Sequence, residues 1–169
     1  MKLKNETLSK NFLIYGFGKS GISSLKYLKK KNRCFIFDDD KKKIKNKYKK
    51  FFISKSKLLN NNFDYIVISP GININRCQLS NYLKKNQKKV ITDFDIFYKF
   101  NPEVLTITIT GTNGKSTTSK LLYDILKKHH YDTRLTGNIG NPILEEKRVT
   151  KNTIFVIEAS SYQLAYSKY

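Results

Sequence analysis

Residues 104–118 read VLTITITGTNGKSTT, an alternating strand pattern that runs into a glycine-rich turn. The pattern predicts a strand, a phosphate-binding loop and a helix that begins near Ser116. Glycines let successive N–H groups turn toward anionic oxygens, and the helix adds its positive N-terminal dipole. Lys115 is placed to reach β- and γ-phosphates, and the Ser116 hydroxyl to bind Mg²⁺. Ile109 occupies the position of the first glycine of the full phosphate-loop pattern, so a plain strand-to-helix turn is the alternative.

A carboxylate follows another apolar run of the same half of the chain. The run 153–157 predicts a buried strand, and Glu158 comes directly after it. In phosphate-loop proteins a carboxylate at the tip of a neighbouring strand holds Mg²⁺. We therefore expect Ser116 and Glu158 to bind the metal, with a surface acid at a strand end as the alternative for Glu158. The residues expected to contact the nucleotide are Gly111, Thr112, Asn113, Gly114, Lys115, Ser116, Thr117 and Thr118.

A second glycine motif lies near the N-terminus. Residues 16–21 read GFGKSG after the apolar run 11–15, and Asp38 follows Gly18 by twenty residues. This spacing fits the dinucleotide fingerprint, in which the carboxylate accepts hydrogen bonds from a ribose. NAD, another diphosphate, or simple packing of strand on helix all remain open from the residues alone. A second nucleotide site at 110–118 argues against a simple dehydrogenase.

Strand and helix patterns alternate along the chain, which predicts the α/β class with largely parallel sheets. A Rossmann-like parallel sheet is expected over 1–93, and an incomplete phosphate-loop ATPase α/β domain over 94–169. The expected strands are 11–15, 34–37, 51–53, 63–69, 90–91, 104–109, 133–136 and 153–157. The expected helices are 22–30, 79–87, one capped by Asp93 or Asp95 and running through Phe100, and 116–129.

Composition narrows the function classes. The net charge is +20, but the lysines accompany an excess of Asn, Ile, Tyr and Phe, residues with AT-rich codons, and arginine is scarce. Codon bias therefore accounts for the positive charge, and nucleic-acid binding is not needed to explain it. No run is long enough to span a membrane, and the N-terminus lacks a signal-peptide pattern. Cys34 and Cys77 have no metal or redox spacing, which favours a reducing cytoplasm. We expect a cytoplasmic protein that binds neither nucleic acid nor membrane.

Four segments, taken in order, resemble the Mur ligase family. They are 16–21 (GFGKSG), 69–72 (SPGI), 110–117 (TGTNGKST), and the pair 137–140 (GNIG) and 158–164 (EASSYQL). The resemblance covers nearly all of the chain. The TGTNGK loop is typical of Mur ligases and of their folylpolyglutamate synthase relatives. The segments 137–140 and 158–164 resemble those of the family member that adds D-glutamate. Asn113 argues against the L-alanine-adding member, which usually has His there.

The resemblance implies that the N-terminal domain holds the UDP of UDP-N-acetylmuramoyl-L-alanine rather than NAD. The implied substrate contacts are Gly18, Lys19, Ser20, Asp38, Ser69, Pro70, Gly71 and Asn138. Asp39 and Asp40 depart from the Thr-Arg that often follows the aspartate in the family, so the resemblance implies no substrate contact for these two residues.

The activity that the resemblance implies is ATP-dependent amide formation between that substrate and D-glutamate, in a monomer that uses ATP and Mg²⁺. Lys115, Glu158 and Asn138 would be catalytic, with Asn138 on a second metal or on the substrate. Complete family members are longer, so we expect a fragment without ligase activity alone. The alternatives are a binding module for a UDP-sugar or NAD, and another Mur-type ligase. The N-terminal domain disfavours folylpolyglutamate synthase.

Overall fold

The computed structural model describes residues 9–40, 42 and 45–168. The N-terminal residues on which the signal-peptide expectation depends lie outside this part. The chain divides into two compact units, Met1–Ile91 (unit 1) and Thr92–Tyr169 (unit 2). The expected domain boundary after residue 93 falls inside a helix that begins at Asp93, and the residue that caps this helix opens unit 2.

Unit 1 contains a four-stranded parallel sheet in the order β2-β1-β3-β4. Its central strands are covered on both faces, as their continuous apolar sequences require. Leu13, Ile14 and Tyr15 of β1 are fully buried. The elements are β1 (Asn11–Tyr15), α1 (Lys19–Leu28), β2 (Arg33–Phe37), α2 (Lys55–Leu59), β3 (Tyr65–Ile68), α3 (Ser80–Lys85) and β4 (Val90–Ile91), with 3₁₀ turns at Asn46–Phe51 and Gln87–Lys89.

Two expectations for unit 1 were wrong. The expected strand 51–53 is the end of a 3₁₀ turn, and Phe52 forms only an isolated bridge with Ile36. Phe52, together with Tyr48 of the same turn, instead packs on the ring of Phe17, at centroid distances of 5.5 and 5.0 Å. The first helix begins at Lys19 rather than residue 22, because Gly18 already occupies the N-cap position.

Unit 2 contains a three-stranded parallel sheet in the order β5-β7-β6. One core cluster joins α4 to β7 and includes Phe94, Phe97, Phe155 and Ile157. The elements are α4 (Asp93–Phe100), β5 (Leu105–Ile109), α5 (Lys115–Lys128), β6 (Thr133–Gly137), β7 (Ile154–Glu158) and α6 (Ser161–Tyr166), with a 3₁₀ turn at Ile143–Glu145. The two parallel sheets confirm the α/β class.

The residue that caps α4 differs from the expected one. Thr92, not Asp93 or Asp95, caps α4, and Asp95 completes a capping box by accepting the Thr92 N–H at 2.6 Å. The sequence analysis did not predict α6, which Ser160 caps in the same way with Gln163. Within the described residues, no helix combines the length and apolar character needed to cross a membrane.

Candidate nucleotide and substrate sites

Three predicted features of unit 2 meet at the carboxyl end of its sheet. The phosphate-loop sequence follows β5, Asn138 follows β6, and Glu158 is the last residue of β7. Glu158 is in register with Ile109 on one side and Gly137 on the other. Its carbonyl accepts the Asn138 N–H at 2.9 Å, and Ile109 accepts the Ala159 N–H at 3.0 Å. Because all three strands are parallel, the sheet brings these residues together at one end.

The loop between β5 and α5 has the backbone that its glycines predict. Gly111 and Gly114 adopt positive φ angles of 148° and 76°. Gly114 is the N-cap of α5 and offers no side-chain acceptor, so no cap side chain covers the first-turn N–H groups of this helix. The Lys115 ammonium donates to the Gly111 carbonyl at 2.6 Å and to the Thr112 carbonyl at 3.3 Å. The side chain thus folds back over the loop that it would share with a phosphate.

Glu158 has the chemistry that a metal site needs. Its side chain is 4% exposed, and its Oε2 atom is buried without a hydrogen-bond partner. A buried carboxylate oxygen without a donor is costly unless a cation or a ligand satisfies it. Mg²⁺ commonly uses one or two carboxylates, water and substrate phosphates. Glu158 and the exposed Ser116 hydroxyl at the start of α5 fit such a metal.

The loop that carries Asn138 is packed tightly against β7. Gly137 has φ 102°, and a Cβ there would lie 2.2 Å from the Glu158 carbonyl oxygen. A Cβ on Gly140 would lie 2.0 Å from the Leu135 carbonyl oxygen. Only glycine fits at such distances, so both glycines of the 137–140 motif hold this loop at the end of the sheet.

The sequence analysis missed a network of charged residues that supports the loop carrying Asn138. Arg134 of β6 pairs with Glu146 at 3.2 Å, and Glu146 also accepts the Asn141 amide at 3.0 Å. Arg134 also pairs with Asp132, whose carboxylate accepts the Thr153 hydroxyl at 2.7 Å. The Thr153 hydrogen bond and the Arg134 charge lower the pKa of Asp132. No spacing rule in the sequence connects Arg134 with Glu146 or Asp132 with Thr153, because only the fold makes the members of these pairs neighbours.

In unit 1, Asp38 holds the first glycine motif in place. One carboxylate oxygen accepts the Phe17 N–H at 2.5 Å and the other accepts the Asp40 N–H at 2.8 Å. The side chain is 7% exposed. In the dinucleotide fingerprint this carboxylate would accept from a ribose, but here each of its oxygens already accepts a backbone N–H group. Direct contact between Asp38 and a substrate stays a prediction.

The remaining predicted contacts of unit 1 surround the same end of its sheet. The Ser69 hydroxyl donates to the Gly16 carbonyl at 2.7 Å and so ties the end of β3 to the glycine turn. Gly18, Lys19 and Gly71 are exposed, and Ser20 and Pro70 are half-buried. A Cβ on Gly21 would lie 2.1 Å from the Gly16 carbonyl oxygen, which explains the third glycine of the motif. These groups surround a position where a diphosphate would meet the N-terminus of α1.

The two histidines and Cys34 lie at positions that suggest structural rather than catalytic roles. His129 is the C-cap of α5, and His130 takes the left-handed conformation that ends it. Cys34 is buried, and burial raises the pKa of its thiol to about 11. Over the described ranges, no three His, Cys, Asp or Glu side chains gather as a metal site. The expected metal ligands Ser116 and Glu158 are of another type, since they supply one hydroxyl and one carboxylate.

Comparison with known proteins points to one family. Residues 109–169 match the profile of the Mur ligase middle domain. The UDP-N-acetylmuramoylalanine–D-glutamate ligase of Caldicellulosiruptor saccharolyticus is 35% identical over 97% of this chain and 39% of its own length. The enzyme of the same name from Rickettsia bellii is 34% identical over 91% of this chain and 34% of its own length. The chain therefore spans somewhat more than a third of these relatives.

A solved structure is similar along most of the chain. It is the UDP-N-acetylmuramate:L-alanyl-gamma-D-glutamyl-meso-diaminopimelate ligase of Neisseria meningitides, with 13% identity and a TM-score of 0.48. The match covers 92% of this chain and 55% of that one.

Proposed function

The chain belongs to the Mur ligase family, and from that premise we propose that it carries the ATP site and the UDP-substrate site of a D-glutamate-adding ligase of peptidoglycan precursor synthesis. Unit 2 supplies the nucleotide site and unit 1 the site for UDP-N-acetylmuramoyl-L-alanine. The names of the similar enzymes support the choice of substrates. The activity belongs to the cytoplasm, where ATP is available.

One observation supports the nucleotide site above the others. The phosphate-loop lysine, the Asn138 loop and a buried carboxylate with an unsatisfied oxygen lie at one end of one parallel sheet. Ligands of open α/β sheets bind at the carboxyl ends of the strands. A plain strand-to-helix turn requires neither the positive-φ glycines of the loop nor an unsatisfied Glu158 oxygen.

The proposed reaction is a two-step amide synthesis. The terminal carboxylate of the UDP substrate attacks the γ-phosphorus of ATP, which gives an acyl phosphate and ADP. The amine of D-glutamate then adds to the acyl carbon, and the tetrahedral intermediate expels inorganic phosphate and loses the ammonium proton. A bound Mg²⁺ would neutralise phosphate charge during the transfer.

The residues of this chain would align the reactants and neutralise charge. Lys115 exchanges the loop carbonyls for γ-phosphate oxygens, and the first N–H groups of α5 bind phosphate. Ser116 and Glu158 would hold the metal ion. Asn138 offers its amide to the substrate or to a second ion, from a loop that Gly137 holds beside Glu158.

Unit 1 suits a UDP group better than NAD. An NAD site of this type needs the carboxylate after the second strand for its ribose. Asp38 already accepts two backbone N–H groups, and it is nearly buried. The exposed Gly18, Lys19 and Gly71 remain available for a diphosphate and the sugar attached to it.

The metal half of the proposal can be tested by removing one charge. ATP is titrated into the full chain with Mg²⁺ and then with EDTA, for the wild type, Glu158→Gln and Glu145→Gln. Glu145 is an exposed carboxylate of the same unit, so its variant controls for net charge. We expect Mg²⁺ to strengthen ATP binding at least about tenfold in the wild type and in Glu145→Gln. Glu158→Gln should lose that gain. An unchanged gain in Glu158→Gln would refute the assigned metal site.

A further inference from the structure

Asp39 joins two loops that flank the predicted substrate site of unit 1. One of its carboxylate oxygens accepts the Tyr15 hydroxyl at 2.8 Å, and the other accepts the Gln78 N–H at 3.3 Å. Tyr15 is the last residue of β1, and Asp39 follows β2. Gln78 lies near the end of residues 69–79, the connection from β3 to α3, which we call the β3–α3 loop. A single carboxylate thus links the ends of two strands to this loop.

Tyr15 extends the link to the residue before Gln78. The residue is fully buried, its hydroxyl donates to Asp39, and it interacts electrostatically with Cys77, whose thiol donates to the Ile74 carbonyl at 3.6 Å. Burial first, and then the interactions with Cys77 and Asp39, raises the pKa of Tyr15 well above its ordinary value. The hydroxyl therefore stays protonated at physiological pH and can donate to Asp39, while the neighbouring Cys77 is half-buried.

The β3–α3 loop is attached at its other end to the glycine motif. The Ser69 N–H donates to the Tyr15 carbonyl at 2.9 Å, and its hydroxyl donates to the Gly16 carbonyl at 2.7 Å. Ile72 packs so close to Gly16 that a Cβ there would lie 3.1 Å from its Cγ1 atom. The loop is thus pinned at Ser69 and again at Cys77 and Gln78, and Pro70 and Gly71 lie between these points.

We propose that Asp39 is a positioning residue, which holds the β3–α3 loop as one wall of the substrate site. Asp38 does the corresponding work for the opposite wall, the glycine motif, through the Phe17 N–H. Asp39 thus positions one wall of the site rather than contacting the ligand. The substrate part of this inference rests on the proposed function, whereas the loop attachment stands without it.

Aspartate suits this position because it accepts at two oxygens in opposite directions. Alanine would remove both acceptors. Asparagine would keep one acceptor for Tyr15 but would face the Gln78 N–H with an amide donor, so it should rescue only half of the attachment. Asp40 offers a matched control, because its carboxylate accepts the Lys42 N–H at 3.0 Å and carries the same charge without a bond to the β3–α3 loop.

The test uses the two cysteines of the full chain as reporters. Alkylation by iodoacetamide at pH 8 is followed separately for Cys77 and Cys34 by mass spectrometry. Buried Cys34, with its raised pKa, serves as the internal control for global unfolding. We expect Asp39→Ala to speed the modification of Cys77 about tenfold with little change at Cys34, because a lost hydrogen bond to a charged group favours local opening by about that factor. Asp39→Asn and Tyr15→Phe should be intermediate, and Asp40→Asn should match the wild type.

The same variants are then titrated with UDP-N-acetylmuramoyl-L-alanine. We expect Asp39→Ala to weaken binding about tenfold, partial recovery in Asp39→Asn and no change in Asp40→Asn. An unchanged Cys77 rate in Asp39→Ala would refute the attachment. A faster rate with unchanged affinity would refute the role as a wall of the site. A wild-type chain that does not bind the UDP compound would overturn the proposed substrate and this wall with it, and the Cys77 rates would still decide the attachment.

Discussion

The two units bury their first strand and helix to very different degrees. In unit 1, β1 has three residues with no exposure, and α1 buries Leu25 and Leu28. In unit 2, β5 has no fully buried residue, and Ser119 is the sole buried residue of α5. Leu105, Leu121 and Ile125 are 56%, 60% and 47% exposed. The pair β1 and α1 therefore has the same secondary structure as the pair β5 and α5, but only the pair of unit 1 is stabilised by extensive apolar burial.

The phosphate loop therefore lies between two elements of unit 2, β5 and α5, that bury few residues. The loop connects β5 to α5, and among the described strands β5 pairs with β7 alone. Hydrogen bonds to β7 and the glycine conformations hold this side, whereas apolar burial holds unit 1 and the β7 side of unit 2. Five residues of β7 are buried, including Glu158. Glu158 thus lies in a buried strand, whereas the phosphate loop beside it has little apolar support.

The largest expected effect tests the burial contrast directly. Leu25→Ala should lower the free energy of unfolding of unit 1 by about 2–5 kcal/mol, because it leaves a cavity in a packed core. Leu121→Ala should change the stability of unit 2 by less than about 0.5 kcal/mol. Hydrogen exchange followed by mass spectrometry reports the stability of each unit separately. A cost near 2 kcal/mol for Leu121→Ala would show that the exposed face of α5 is covered in solution.

A pair of glycine variants sharpens the contrast within unit 2. Gly137→Ala should cost at least about 2 kcal/mol, because its Cβ would overlap the Glu158 carbonyl and its φ is positive. Gly114→Ala should cost only about 1 kcal/mol, because its φ is positive but no atom lies within 4 Å of the added Cβ. Thermal unfolding followed by circular dichroism compares the two variants. Equal losses would mean that the Asn138 loop is not tightly packed.

A lysine pair on α5 tests whether the loop or general positive charge attracts ATP. Lys115→Ala should weaken ATP·Mg²⁺ binding about 10- to 100-fold, as expected for charge-assisted hydrogen bonds to phosphate. Lys127→Ala, in the last turn of the same helix, should leave the affinity almost unchanged. Isothermal titration of the full chain measures both affinities, and similar losses would contradict the phosphate-loop assignment.

The smallest effect concerns the pH dependence of unit 2. The pKa of Asp132 is lowered in the folded state, so its contribution to stability is present above the unfolded pKa of about 4 and is lost as pH falls through the folded value. The stability difference between wild type and Asp132→Asn should therefore shrink below pH 4. Because the side chain is 41% exposed, the difference should stay below about 1 kcal/mol. Thermal melts across this pH range measure it.

Asp124→Asn is the matched control for this titration. Asp124 forms a solvent-exposed pair with Lys120 one helical turn away. Removing it should leave the stability nearly flat with pH, since exposed pairs of this kind contribute little. A pH-dependent loss in Asp124→Asn as large as that in Asp132→Asn would show that general charge repulsion, rather than the Thr153 and Arg134 contacts, sets the trend.

The sequence predicted the elements whose local patterns are strong. The phosphate loop, the buried run ending at Glu158 and the first strand follow from apolar periodicity and glycine spacing, and the structure places them accordingly. The stretch 51–53 failed because three apolar residues do not distinguish a strand from a turn that packs on Phe17. Asp39 gave no signal, since its partners Tyr15 and Gln78 are distant in sequence. The pair of Arg134 and Glu146 gave none either, because the two residues belong to different elements that only the fold brings together.

The most direct test of the central claim compares two ligands at unit 1. UDP-N-acetylmuramoyl-L-alanine and NAD⁺ are titrated separately into the full chain under identical conditions. A Mur-type chain, in which Asp38 holds the glycine motif, should bind the UDP compound at least about tenfold more tightly than NAD⁺, because that carboxylate is already committed to backbone donors. Tighter binding of NAD⁺ would contradict the ligase assignment and favour a dinucleotide-binding module.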